Sequence, residues 1–135
     1  MTSKTVLIVD DDPEILRQIG AALASAGYDV HTAADGAIGL KRFNAVTPDV
    51  VVIDIIMPHR EGLETIMAMR QARAATKIVA MSGGGRIGPH DFLNLARHIG
   101  ADAVIAKPFR LAEIVALVDG ALEGSAREPP AVDAA

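Results

Sequence analysis

The chain has 135 residues, half of them hydrophobic, with a formal net charge of −4 and no cysteine, and its mean hydropathy is +0.30. These values fit one domain burying roughly two-thirds of its unfolded surface, and they exclude wholesale disorder, a disulfide framework and thiol chemistry. An acidic balance without a Lys/Arg cluster argues against a nucleic-acid surface, no apolar run approaches membrane-span length, and acids directly after the first apolar run rule out a signal peptide.

The first such run, Val6-Leu7-Ile8-Val9, is short and β-branched, as expected of a buried parallel strand, and it ends in Asp10-Asp11-Asp12. Asp12-Pro13 makes a good helix cap and first turn, which accounts for Asp12 but not for Asp10 or Asp11. Ile15, Leu16, Ile19, Ala22, Leu23 and Ala26 then fall on one helical stripe that Gly27 terminates. A shorter strand follows around Tyr28–Ala33, and a second helix is expected from about Asp35 to Asn44, with Ile38, Leu40 and Phe43. The third strand, Val50–Ile53, ends in Asp54. A third helix over about Leu63–Ala72 carries Leu63, Ile66, Met67 and Arg70 at helical spacing. Ile78–Met81 is the fourth strand, ending at Ser82 and a Gly83-Gly84-Gly85 loop. A fourth helix is expected over about Pro89–Ile99, and a fifth strand, Ala103–Ala106, leads into Lys107-Pro108. The last helix starts after Phe109 and has two apolar stripes, one of Leu111, Val115, Val118 and Leu122, the other of Ile114, Leu117 and Ala121. One must cover the sheet; the other is left to a partner or to burial on both sides.

Five strands alternating with five helices predict an α/β fold: a (βα)5 doubly wound parallel sheet of flavodoxin-like order 2-1-3-4-5. The ordered domain is expected over residues 1–123, and residues 124–135, which are Ala- and Pro-rich with no apolar periodicity, are expected to be a disordered tail.

In that order strands 1 and 3 are neighbours, so Asp10, Asp11 and Asp54 meet in one crevice at the carboxyl ends of the strands, with Ser82 and Lys107 beside them. Adjacent carboxylates repel, and a hard divalent cation with oxygen ligands is the usual compensation. The set suits phosphoryl transfer to a carboxylate. Asp10, Asp11, Asp54 and the backbone carbonyl of Ile56 would hold Mg²⁺ (or Mn²⁺), and Asp54 would be the nucleophile. Lys107, the Ser82 hydroxyl and the Gly83 backbone N–H would pair with phosphoryl oxygens.

The motifs Val9-Asp10-Asp11-Asp12-Pro13-Glu14-Ile15, Asp54-Ile55-Ile56-Met57-Pro58 with Gly62, Met81-Ser82-Gly83 and Lys107-Pro108-Phe109 occur in order over about residues 5–123. Together they resemble the receiver domain of bacterial two-component response regulators. The resemblance implies that Asp54 is the phosphoacceptor, Asp10 and Asp11 the acid pair for the metal, Ser82 the switch hydroxyl, and the Lys107-Pro108 bond cis. It also implies a sensor histidine kinase or a histidine phosphotransfer protein as donor. The face made by the fourth helix, fifth strand and last helix would then meet targets. Two departures stand out. Val104 occupies the place, three residues before the lysine, where receivers usually carry an aromatic ring, and the Gly83–Pro89 loop is unusually glycine-rich. That loop is expected to close over the phosphorylated site, with Arg86 as a partner contact.

The resulting expectation is a stand-alone receiver in the cytoplasm that signals through a protein target or a phosphorelay. It would bind neither DNA nor membrane, and would be no enzyme beyond slow loss of its own phosphate, since Ile56 and Gly84 offer no base to attacking water. The alternative is a receiver-fold binding module that works without phosphorylation, for which Val104 is the motive. His31, His59, His90 and His98 show no metal-ligand spacing. His59 and Arg60 follow Pro58 beside the site, either touching an incoming kinase or simply facing solvent, and Met57, Met67, Met69 and Met81 are expected as core filler.

Overall fold

The computed structural model describes residues 3–55, 61–82 and 98–124. Along the chain these form β1 (Thr5–Val9), α1 (Pro13–Ser25), β2 (Asp29–Ala33), α2 (Gly36–Val46), β3 (Val50–Asp54), α3 (Glu61–Ala72), β4 (Lys77–Ser82), β5 (Ala103–Ala106) and α4 (Leu111–Gly124). The strands make one parallel sheet in the expected order β2-β1-β3-β4-β5.

Helices cover both faces, which is why β1, β3 and β4 are unbroken apolar runs rather than alternating ones. Successive side chains go to opposite layers. Leu7, Val9, Val51, Ile53, Ile78 and Ala80 pack with Phe43 of α2 and Ile66 and Met69 of α3. Val6, Ile8, Val50, Val52, Val79 and Met81 pack with Ile19 and Leu23 of α1 and Ile114 and Val118 of α4. Each such fully buried aliphatic side chain contributes about 1.5–3 kcal/mol, so the central strands are the most firmly held part of the fold.

Local chemistry sets the helix starts. The Asp12 carboxylate accepts the Glu14 N–H at 2.9 Å, with Pro13 in the first turn, and the Asp35 carboxylate accepts the Ile38 N–H at 2.8 Å. Past the end of α1, Gly27 takes φ +101°, the left-handed region that a side chain disfavours.

Three expectations are corrected. Met67 is not core filler: it is 54% exposed, whereas Met69 and Met81 are fully buried. The buried face of α3 is Thr65, Ile66 and Met69 with Leu63 packed half-buried beside it, so of the expected line Leu63, Ile66, Met67 and Arg70 the first two face the core and the last two do not. Arg70 belongs to no apolar stripe. Its guanidinium donates to the carbonyl oxygens of Ala74 and Thr76, both at 2.7 Å, to that of Gly100 at 2.6 Å, and to the Asp102 carboxylate at 2.9 Å. In α4 neither apolar stripe is the buried one: Ile114 and Val118, four residues apart and one from each, are fully buried, while Leu111 is 38% exposed. Most of the expected fourth helix lies outside the described residues, as do the tail after Gly124, Met57, His59, Arg60, Arg86 and His90. Of the described residues in that span, His98 and Ile99 are helical.

Candidate functional site

The register between β1 and β3 ends at Val9 opposite Ile53, so Asp10 and Asp54 emerge side by side one residue later. Asp10 is fully buried and Asp54 is 4% exposed, while Asp11 is solvent-facing. The carboxylate oxygens of all three come within 4.8 Å of one another. The Asp10 N–H donates to the Ala33 carbonyl at 3.2 Å, and its Oδ1 accepts the Asp12 N–H at 2.9 Å. Asp10 is thereby fixed from both sides.

Lys107 arrives from the other edge of the crevice. Its backbone N–H donates to the Ser82 carbonyl at 2.7 Å, and the Lys107-Pro108 peptide is cis, as expected. Its Nζ lies 2.8 Å from Asp10 Oδ2 and 3.1 Å from Asp54 Oδ2, so one ammonium bridges the two buried carboxylates. Burial by itself would push the lysine pKa down. The hydrogen bond to Asp10 and the charge and hydrogen bond of Asp54 outweigh it and hold the group above its usual range.

Within this quartet three carboxylates face one ammonium, leaving two negative charges to be met by something else. An all-oxygen donor set with that deficit, two of its members buried, is what a hard divalent cation needs, so the residues fit Mg²⁺. Ser82 ends β4, is nearly fully buried and pairs in register with Ala106, next to Lys107. Ile56 and Gly83, expected to lend backbone groups, lie outside the described residues.

Two features escaped the sequence reading. A Cβ built at Gly62 would lie 2.6 Å from Ile55 Cα and run into the carbonyl oxygen of Asp54. The motif glycine at the start of α3 is therefore there because the helix rests directly on the strand end that carries Asp54. The second feature is a groove of about 420 Å³ beside Lys107, lined by Ile15, Gln18 and Ile19 of α1 and by Pro108, Phe109 and Leu111. Val104 packs half-buried against the layer containing Ile53 and Ile78, the ordinary structural role of a strand valine. His31 faces Asp29 at 3.4 Å on the edge strand, away from the site.

The family model for the response regulator receiver domain matches residues 6–119. Among curated proteins the chain is 35% identical over 122 residues to the transcriptional regulatory protein PrrA of Mycobacterium tuberculosis, covering 90% of this chain and 51% of PrrA. It is 32% identical over 123 residues to the alkaline phosphatase synthesis transcriptional regulatory protein PhoP of Bacillus subtilis, covering 91% of this chain and 50% of PhoP. The chain thus spans about half the length of these curated relatives. Among solved structures, a CheY-like receiver domain protein from Methanospirillum hungatei superposes with a TM-score of 0.85 at 28% identity, covering 94% of this chain and 99% of that one. The chemotaxis protein CheY4 of Vibrio cholerae gives 0.82 at 28% identity, covering 90% of this chain and 100% of that one.

Proposed function

The chain belongs to the response regulator receiver domain family, and from that premise we propose that Asp54 accepts a phosphoryl group from a phosphohistidine donor and that the surface then signals to a protein target. The observation that carries this reading is the Lys107 ammonium bridging two buried carboxylates, one of them Asp54 at the end of β3. An Asp54 carboxylate oxygen forms a bond to phosphorus as the phosphorus–nitrogen bond to the donor imidazole breaks. The imidazole nitrogen keeps that electron pair and takes a proton from solvent. Asp10, Asp11 and Asp54 would hold Mg²⁺, or Mn²⁺ in its place, which supplies charge neutralisation for the phosphoryl oxygens.

Lys107 has its ammonium 3.1 Å from Asp54 Oδ2, where a phosphoryl oxygen on Asp54 would need a cation. The Ser82 hydroxyl and the Gly83 N–H are proposed as further donors to those oxygens. The groove beside Lys107, with exposed apolar surface at Leu111, is the proposed seat of the donor protein, a sensor kinase or a phosphotransfer protein. The signal is proposed to pass by protein contact or phosphorelay in the cytoplasm; among the described residues no helix is long and apolar enough to cross a membrane. Release of phosphate is proposed to be slow, because positions 56 and 84 carry isoleucine and glycine, neither of which is a base.

The test is intact-protein mass after incubation with acetyl phosphate and Mg²⁺, with Asp54→Asn and a chelator as controls. A single phosphoryl adduct that needs both Asp54 and the metal is expected. No adduct from acetyl phosphate or from a phosphorylated kinase, with the protein folded, would favour a binding module that works without phosphorylation.

A further inference from the structure

β5, the strand that delivers Lys107, is the least secured strand of the sheet. It has four residues, pairs with β4 alone among the described residues and is half-buried to exposed along its length. A short edge strand with little burial specifies its own register weakly. A slip of one residue would move Lys107 by about 3.3 Å, far enough to break both of its carboxylate contacts.

Its far end carries a clamp. The Asp102 N–H donates to the Ile78 carbonyl at 2.7 Å, and the Asp102 Oδ2 accepts the Ile78 N–H at 2.8 Å, which ties the entry of β5 to one residue of β4. Arg70 Nη2 donates to the same Oδ2 at 2.9 Å and to the Gly100 carbonyl at 2.6 Å. Its Nη1 holds Ala74 and Thr76, so the guanidinium gathers the end of α3, the entry to β4 and the entry to β5 at one point. Charge-assisted bonds from a planar, preorganised fork are the strong kind, and this one is only 25% exposed.

We propose that Arg70 and Asp102 are positioning residues for the phosphoryl-transfer site, fixing the register of β5 and through it the reach of Lys107. The inference rests on the role assigned to Lys107 above. A simple staple that adds stability would look the same in a static structure, but it differs in one respect: only a positioning role makes the effect of Arg70 depend on Lys107.

The experiment is a double-mutant cycle on the rate of adduct formation from acetyl phosphate with Mg²⁺, followed by intact mass. Wild type, Arg70→Met, Lys107→Ala and the double variant are compared below their melting temperatures, with circular dichroism as the check on folding. Arg70→Met is expected to slow the wild-type reaction roughly tenfold, within the about 100-fold that a misplacement of 1 Å can cost. In the Lys107→Ala background the same change is expected to alter the rate by less than about twofold, the limit set by ordinary additivity error. Equal slowing in both backgrounds, or no slowing in either, overturns the proposal. Asp102→Asn keeps an oxygen for the Ile78 N–H while losing the charge that Arg70 meets. It runs through the same cycle and decides the matter if Arg70→Met does not fold. A wild type that takes no phosphoryl group at all would instead refute the role of Asp54, and an unslowed Lys107→Ala that of Lys107; either removes the purpose of the clamp.

Discussion

Adding one methyl group is expected to have opposite effects at two helical glycines. At Gly62 the new Cβ would sit 2.6 Å from Ile55 Cα and 2.9 Å from the Ile55 carbonyl carbon, with the Asp54 carbonyl oxygen closer still. Carbon contacts settle near 3.5–4.0 Å, so α3 would have to retreat from the end of β3 by about 1 Å. Overpacking costs about 1–3 kcal/mol, and here the upper end applies because the obstacles are backbone atoms with no rotamer to change. A helix-propensity gain of at most about 1 kcal/mol offsets part of it, leaving Gly62→Ala about 2 kcal/mol less stable. At Gly120, inside α4, nothing among the described residues lies within 4 Å of the built Cβ. There the propensity term stands alone, and Gly120→Ala should gain about 0.5–1 kcal/mol.

Urea unfolding followed by circular dichroism reads both, as shifts of midpoint at constant slope. In thermal melts the expected changes are a fall of about 6–10 °C and a rise of about 2–4 °C. The rate of adduct formation should fall in Gly62→Ala, whose displaced helix adjoins Asp54, and stay unchanged in Gly120→Ala. A Gly62→Ala protein within about 0.5 kcal/mol of wild type, the range of an ordinary surface change, would show that α3 does not rest on the strand end as described.

Other variants probe single interactions. Lys107→Ala should slow adduct formation by about 100-fold, the scale of losing one preorganised charge stabiliser, and intact mass against time measures it. Asp12→Ala should cost about 1 kcal/mol in urea unfolding through the lost cap on α1, with Asp12→Asn near wild type. The Asp54 adduct should still form in both. Tyr28 is the chain's one tyrosine, and there is no tryptophan. Burial, its hydrogen bond to Asp119 and the charges of Asp119 and Glu123 all raise its pKa well above the usual value. A raised folded value means that its stabilising contribution is complete below about pH 10, the unfolded range, and is lost as pH climbs through the folded value. Tyrosinate absorbance should therefore appear late in an alkaline titration of the folded protein; a midpoint near 10 would contradict the Tyr28–Asp119 contact.

The fold was legible because β1, β3 and β4 are buried on both faces and announce themselves as apolar runs, each followed by a chemically distinct residue. Asp10, Asp54 and Ser82 stand just past those runs and Lys107 just past the shorter run of β5, and strand order places the first two side by side. The helices were harder. On α4 only Glu113, Asp119 and Glu123 mark the polar face, and the buried pair Ile114 and Val118 opposite them joins two stripes that looked separate. On α3, Met67 and Arg70 continue a helical spacing from Leu63 and Ile66, yet Ile66 and Met69 set the buried face and leave Met67 in solvent. Arg70 and Asp102 had no sequence signal, because backbone carbonyls that meet a guanidinium leave no trace in residue types. Gly62 was noticed as part of a motif, but its reason is a distance to another chain segment that no spacing encodes.

The site is built across a gradient of local stability. Asp10 and Asp54 leave strands hydrogen-bonded on both sides, whose amides are expected to open only with the whole domain, whereas Lys107 leaves a four-residue strand with a single neighbour among the described residues. Opening of β5 alone withdraws the cation and leaves both carboxylates in place. Amide hydrogen exchange should thus divide the crevice in two: slow at Val9 and Ile53, fast at Val104 and Ile105. The affinity of the acidic half for cations then becomes coupled to how often the edge strand lets go, since each opening exchanges a tethered ammonium for free access by ions from solution.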